Sequence, residues 1–393
     1  MYCFIFGFLF LKLVNLNIQA IFLLQPIDDK TVLWSSRDNQ YLVLENTTAL
    51  LVSKLSKGVA LEDISRELSQ ELSLPIKETT DFVQDLKKRF IDLGPSKLPN
   101  KPESLKDVVV PNHFSVEKFY KINELVIKAC FESEESCFLI HPKFEHLEIE
   151  SQKHDFCFKT FTQDSRIFLA VDNKLIGSWP FDEFHYFQGK YSMQLIQKIH
   201  KRQEDEWLGV FHASAVSDKK NAMLFLGDSG NGKSTSLALL QAHGFDCIAD
   251  DFVPVAAQSQ EIYSFPAAIS VKKTSLDTLL PFYPKLSDSK EYDFKVAQKI
   301  VRYLKPNNSD FSSHLPCKGL VFIKYIKDAP LSCEKIDKIT AFQKLVPDSW
   351  LSPIKENAAI FLDWFAALDC FELTYSNNTE MVAQVSKLFR DEL

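Results

Sequence analysis

The run "FLGDSGNGKSTSLALLQAHGFDCIADD", residues 225–251, contains two groupings with chemical potential. Gly227, Asp228, Ser229, Gly230, Asn231, Gly232, Lys233 and Ser234 fit G-x-x-x-x-G-K-[ST], with Thr235 next. In such a loop, glycines let the backbone turn its N–H groups inward around phosphate oxygens, and the following helix adds the positive end of its dipole. Lysine then reaches the outer phosphates and the serine hydroxyl ligates Mg²⁺. Seventeen residues beyond Lys233 lie the adjacent carboxylates Asp250 and Asp251. Neighbouring carboxylates point different ways, so one suits taking a proton from an acceptor hydroxyl and the other holding a metal shell or orienting a partner.

The elements around these residues support that chemistry. "NAMLFL" reads as a buried strand entering the loop and "KSTSLALLQAHG" as a helix leaving it, stopped at Gly244. "FDCIA" is the next buried strand, which puts both aspartates at a carboxyl end, where α/β sheets form their ligand crevice. Upstream, "WLGVFHASAV" reads as one strand with His212 at its centre, pairing with "NAMLFL" across "SDKKN". A lone histidine in an apolar strand is most often a packing residue, but beside a phosphate loop and two acids it is placed to tune a carboxylate.

"FHASAV", "GDSGNGKST" and "GFDCIADD", in this order and spacing, resemble the core of the HPr kinase/phosphorylase family, whose fold is shared with phosphoenolpyruvate carboxykinase. The resemblance is strong over residues 207–254 and fainter through "FPAAISVKKTSLDTLLP" and "FELTYS". It implies an ATP- and Mg²⁺-dependent phosphotransferase acting on a protein serine. By position, His212, Lys233, Asp250 and Asp251 match the catalytic set, residues 227–235 the nucleotide loop, and Ser234 with Asp250 the metal site. Two departures stand out. Thr235 occupies the place of an acidic residue, and the arginine- and glycine-rich signature linked to phosphorolysis is absent between Lys290 and Gly319, so phosphorylase activity is not expected. Arg302, the one arginine there, reads as a surface residue, and Lys272 as a solvated lysine, with a substrate or phosphate contact as the alternative.

At 393 residues the chain is long enough for two or three domains. Residues 1–20 are apolar but interrupted by Lys12, with no cationic lead or cleavage site; they read as a hydrophobic extension or an upstream start, and less well as a membrane anchor. Residues 21–95 read as short strands, "TVLWSS" and "YLVLE", followed by three helices. "YLVLENTTALLVSKLSKGVALEDISRELSQEL" and "DFVQDLKKRF" resemble the PqqD family of peptide-leader-binding domains, which implies a winged-helix-like module that takes an extended precursor peptide onto a sheet edge. DNA reading is disfavoured by twelve acidic against nine basic residues between Asp28 and Asp92, and nucleic-acid binding generally by the net charge of -7.

Residues 96–112, with three prolines, read as a linker. Residues 113–205 read as a strand-rich region, through "CFLIH", "HLEIES", "FCFKTF", "RIFLAVD" and "LIGSWPF", ending in a helix around "SMQLIQKIHKRQEDEW". Its histidines, His141, His146, His154 and His185, match no metal spacing. From Trp207 onward strands and helices read as alternating, so residues 206–393 are expected to form the HPr-kinase-like α/β phosphate-loop domain, with homo-oligomerisation left open. Eight cysteines without a C-x-x-C pair fit a reducing cytoplasm. The expected activity is transfer to a Ser or Thr hydroxyl of a peptide or protein; a small-molecule kinase and a nucleotide-binding peptide scaffold are the alternatives.

Overall fold

The computed structural model describes residues 22–92, 108–228, 230–294 and 299–392. Residues 1–20, most of the linker, Gly94 and Ser229 therefore lie outside the described residues. The chain is mixed α/β with several sheets and separates into two compact units. No helix among the described residues is long and apolar enough to cross a membrane.

The first unit comprises residues 1–100, 337–342 and 351–366. Its strands β1 (Phe22–Ile27), β2 (Lys30–Ser35) and β3 (Gln40–Glu45) form an antiparallel meander. Asp28 and Asn39 take the left-handed conformation at the two turns, a geometry that short polar side chains tolerate. Three helices follow: α1 (Asn46–Ser56), α2 (Leu61–Leu72) and α3 (Ile76–Leu86). Leu51, Leu55, Ile64, Leu68, Val83 and Leu86, spaced three and four apart, close their shared core. Strand β1 emerges from the apolar run, whose lack of alternation concealed it. Tyr41 packs edge-on to Phe342 and Phe361, which attaches distant chain segments to this unit.

The second unit comprises residues 101–336, 343–350 and 367–393. It opens with a five-stranded sheet in the order β4 (Val116–Ile122), β5 (Leu125–Phe131), β6 (Phe156–Gln163), β7 (Arg166–Val171), β8 (Lys174–Pro180). Three of its strands coincide with "FCFKTF", "RIFLAVD" and "LIGSWPF". "CFLIH", in contrast, lies inside helix α4 (Glu134–Phe144), and "HLEIES" is a single helical turn with one isolated bridge. A capping box decides the helix: Ser133 and Ser136 exchange side-chain and backbone bonds at 3.2 Å, and Glu134 and Glu135 complement the dipole in the first turn. Helix α5 (Phe184–His200) begins well before the expected "SMQLIQ".

The large sheet draws on β9 (Trp207–Phe211), β10 (Ser214–Ser217), β11 (Ala222–Leu226), β12 (Asp246–Asp250), β13 (Val253–Ala256) and β14 (Glu261–Tyr263). A small sheet is made from β15 (Ile269–Lys272), β16 (Tyr292–Phe294) and β17 (Lys299–Leu304). The long β18 (His314–Tyr325) rejoins the large sheet, followed by β19 (Ser332–Lys335), β20 (Ser349–Leu351) and β21 (Asp369–Tyr375). The order is β12-β10-β11-β18-β14-β13-β9-β20, with β21 beside β18 and β19 beside β21. Helices α6 (Lys233–Ala242) and α7 (Leu276–Leu279) come before β18, and α8 (Lys338–Leu345), α9 (Lys355–Ala367) and α10 (Asn378–Phe389) after it. Regular alternation of strand and helix is thus not observed over this region, since β12 to β15 run with no long helix between them.

"WLGVFHASAV" is not one strand. The chain breaks at His212, where Ala213 N–H bonds back to the Phe211 carbonyl at 2.9 Å, so β9 pairs with β13 while β10 pairs with β11 and β12. The neighbouring chain breaks at the same level: Asp251, in the left-handed region at φ 63°, separates β12 from β13. Phe211 pairs with Val253 below the break and Ser214 with Asp250 above it.

Candidate functional site

Strand β11 is fully buried and parallel to β18, and its last residue, Leu226, delivers the chain into the glycine loop. Gly227, Gly230 and Gly232 all have positive φ. At Gly227 a Cβ would lie 2.7 Å from the Ile323 carbonyl oxygen, and at Gly232 3.2 Å from the Tyr375 hydroxyl. Only glycine fits the first of these positions. Asn231 N–H bonds the Asp228 carbonyl at 3.1 Å, and Tyr325 N–H bonds the Asn231 carbonyl at 3.2 Å, which fixes the loop against the end of β18. Helix α6 begins at Lys233, with Gly232 as its N-cap and no side chain capping it. Its first-turn N–H groups lack intrahelical acceptors, which leaves them available to an anion.

Lys233 is 7% exposed and donates to the Gly227 carbonyl, folding back over its own loop. Burial lowers its ammonium pKa, opposed by Asp251, Asp250, Asp348 and Asp228. Ser234, one residue on, donates to Asp250 Oδ1 at 3.2 Å.

Asp250 is 2% exposed and accepts three hydrogen bonds. Register places Ser214 opposite it, and the Ser214 hydroxyl donates to Oδ1 at 2.6 Å; Ser270 N–H of β15 donates to Oδ2 at 3.1 Å. Burial, with the Asp251 charge beside it, pushes its carboxyl up to about 6 despite these bonds. Asp251 shifts the other way. Burial opposes its charge, yet Lys143, Lys299, His212 and Lys233 together hold its carboxyl below the usual range. The two carboxylates are therefore pushed apart in acidity, the arrangement that assigns different roles to paired acids.

The His212 ring, exposed at the strand break, lies with Nδ1 3.3 Å from the Asp251 carbonyl oxygen. Thr235 bonds the Ser275 hydroxyl at 2.8 Å. Arg302 is a correction to its reading as a surface residue: it is partly buried on β17, where its guanidinium binds the carbonyls of Leu286, Ser287 and Ser289 and ties down that loop.

A cleft of 160 Å³ runs along the loop, lined by Lys233, Ser234, Asp251, Ser270, Lys272 and Lys299 among others. A second cavity of 470 Å³ opens on the other side of Gly227 and Asp228, against Phe322, Lys324, Pro347 and Glu372. His212 lines both.

The structure thus brings His212, Asp228, Gly230, Gly232, residues 233–235 and Asp251 to one cleft, with Asp250 buried behind it against Ser234 and Gly227 and Asn231 on the second cavity. It adds Ser214 and Ser270, which bond Asp250, and Lys143 and Lys299, which face Asp251. Lys143 comes from α4, over 100 residues upstream, and nothing local in the sequence marks it. The "SEES" cap before α4 was the available signal that "CFLIH" turns on helical period and carries Lys143 with it.

Among the described residues no cluster of three or more His, Cys, Asp or Glu side chains is set to hold a metal. Hard oxygen ligands around an octahedral Mg²⁺ at 2.0–2.1 Å stand about 2.9 Å apart. The 3.2 Å between Ser234 Oγ and Asp250 Oδ1 fits that spacing. The open loop, with positive-φ glycines where a Cβ would intrude, fits a phosphate chain.

No family model matches the chain, and no curated protein does. Among solved structures it is similar to the Hpr(Ser) kinase/phosphatase from Coxiella burnetii, at 10% identity over 46% of this chain and 94% of that one, with a TM-score of 0.21.

Proposed function

We propose that the chain is an ATP- and Mg²⁺-dependent phosphotransferase of the HPr-kinase-like type that phosphorylates a Ser or Thr hydroxyl of a peptide or protein. One observation carries the reading: the loop serine, Ser234, and the strand-end carboxylate Asp250 share an oxygen contact, with Asp251 next to them inside a ring of cations. Phosphoryl transfer asks mainly for positioning and charge stabilisation, which these groups supply.

Lys233 and the first-turn N–H groups of α6 would hold the phosphates, and the 470 Å³ cavity beyond Gly227 the nucleoside. Ser234 and Asp250 would hold Mg²⁺, which supplies charge neutralisation when bound. Asp251, ionised at neutral pH, orients the acceptor hydroxyl and takes its proton. His212 braces the Asp251 backbone at the strand break. The meander β1-β2-β3 of the first unit leaves two edges, one of them β3 with Leu42 42% exposed, on which a precursor peptide would add as a further strand.

The test is incubation with γ-labelled ATP, Mg²⁺ and peptides encoded beside the gene. Label on a peptide serine or threonine, lost in Asp251→Asn and Lys233→Ala, is the expected result. Label on a metabolite alone would point to a small-molecule kinase, and tight ATP binding without transfer to a scaffold.

A further inference from the structure

A third cavity, of 230 Å³, lies across the aspartate pair from the glycine loop. Asp250, Asp251 and His212 line it, and so do Lys143 of α4 and Gln188, Gly189 and Ser192 of α5. Phe252 and Phe265 close its apolar side at a ring separation of 4.7 Å. The walls are held in place: Gln188 Nε2 donates to the Leu139 carbonyl at 2.6 Å and joins the two helices, and Ala268 N–H donates to the Lys143 carbonyl at 2.8 Å. Two residues after Ala268, Ser270 N–H bonds Asp250 itself. Asp251 and His212 thus line two cavities, one against the phosphate loop and the other, which Asp250 also lines, roofed by helices of the five-stranded region.

The geometry points to this second face as the pocket for the phosphoryl acceptor, taking a single alcohol-bearing side chain or a molecule of that size. The inference rests on the phosphotransferase reading. Its volume falls below the 300–1,000 Å³ usual for sites that hold a nucleotide-sized ligand, so a second nucleotide or a folded domain does not enter. The chemistry of the lining suits an alcohol: a carboxylate to accept its hydrogen bond, a lysine, an amide and a serine hydroxyl for a neighbouring polar group, and aromatic faces for its carbon skeleton. As the acceptor oxygen bonds to the γ-phosphorus, the bond from that phosphorus to the bridging oxygen breaks and its electron pair leaves with ADP. The hydroxyl proton passes to Asp251. The alcohol is either a Ser or Thr of an extended peptide or a small free hydroxy compound; both share the group recognised.

Gly189 gives a clean test. It lies within α5 on the cavity wall, its φ is ordinary, and a Cβ there meets no atom within 4 Å, so a larger side chain starts from open space at the cavity and raises helix propensity. The full-length parent, Gly189→Ala and Gly189→Leu are assayed with γ-labelled ATP and Mg²⁺, one arm using short serine and threonine peptides and the other free L-serine and glycerol. ATP affinity is measured separately by calorimetry. The expected result is an acceptor KM raised by about tenfold or more in Gly189→Leu, less in Gly189→Ala, with the ATP Kd unchanged. The arm labelled by the parent identifies the source of the alcohol. An active parent whose acceptor KM is the same in Gly189→Leu overturns the pocket assignment alone. A parent that binds ATP and labels no acceptor in either arm overturns the phosphotransferase reading, and the pocket falls with it.

Discussion

Replacing Asp250 by asparagine removes a charge that the fold holds out of water. A carboxyl raised from 3.8 to about 6 binds its proton more tightly in the folded chain than in the unfolded one. The sign follows: below pH 3.8 both states are protonated and nothing is lost, between 3.8 and 6 the folded state progressively loses stability, and above 6 the loss is constant. The interval is worth about 3 kcal/mol. Asparagine escapes that penalty but is a poorer partner. Its Oδ1 can accept from Ser270 N–H, while its Nδ2 must face the Ser214 and Ser234 hydroxyls, which have to turn and accept; this mismatch costs about 1 kcal/mol. Asp250→Asn is therefore expected to melt below the parent at pH 4 and above it at pH 8, where the net gain is about 2 kcal/mol. With about 2–4 °C per kcal/mol, thermal melts at pH 4, 5, 6, 7 and 8 resolve the crossing. Parent and variant curves that stay parallel across this range would refute the argument that burial of Asp250 dominates its three hydrogen bonds. Transfer activity should vanish in the same variant, which separates its stability from its use.

Lys143→Met removes a positive charge facing Asp251, so the Asp251 carboxyl should rise and the acid limb of the transfer-rate profile should move to higher pH, an outcome a purely structural role would not produce. Lys143→Arg should restore much of the parental profile. Gly227→Ala must place a Cβ 2.7 Å from the Ile323 carbonyl in a backbone conformation disfavoured for alanine, costing about 1–3 kcal/mol and abolishing the rise in melting temperature that ATP gives the parent. Ser214→Ala deletes the 2.6 Å bond to Asp250 and should destabilise the chain by about 1–3 kcal/mol, more at pH 8 than at pH 4 because the bond favours the ionised carboxylate. Denaturant titrations at the two pH values check this.

What the sequence made legible was local. The loop glycines, Lys233, Ser234 and the aspartates lie within one strand-loop-helix-strand run, and spacing along the chain sets their spacing in space. Helices α1 to α3 were equally readable, because their apolar residues recur at three and four and Gly58 stops the first at φ 79°. Ser214 and Ser270 were not legible, since they reach Asp250 through a register pair and a strand of a different sheet. Lys143 was hidden by the apolar "CFLIH", where a short run suits a strand or a buried helix alike and the serine cap arbitrates. His212 stands out in the sequence beside the loop, but its setting at a strand break does not. A strand break has no compositional signature when both halves are fully buried, as β9 and β10 are.

The coincident breaks at His212 and Asp251 make the site intolerant of length changes. Side chains along a strand alternate faces, so deleting one residue between Phe211 and Ser214, or inserting one between Asp250 and Val253, must either turn one half-strand over or slide it along its partner. Either response separates the Ser214 hydroxyl from Asp250 and swings Asp251 away from the cations that hold its charge. Here two chains count residues against each other, and the chemistry survives only while both counts agree.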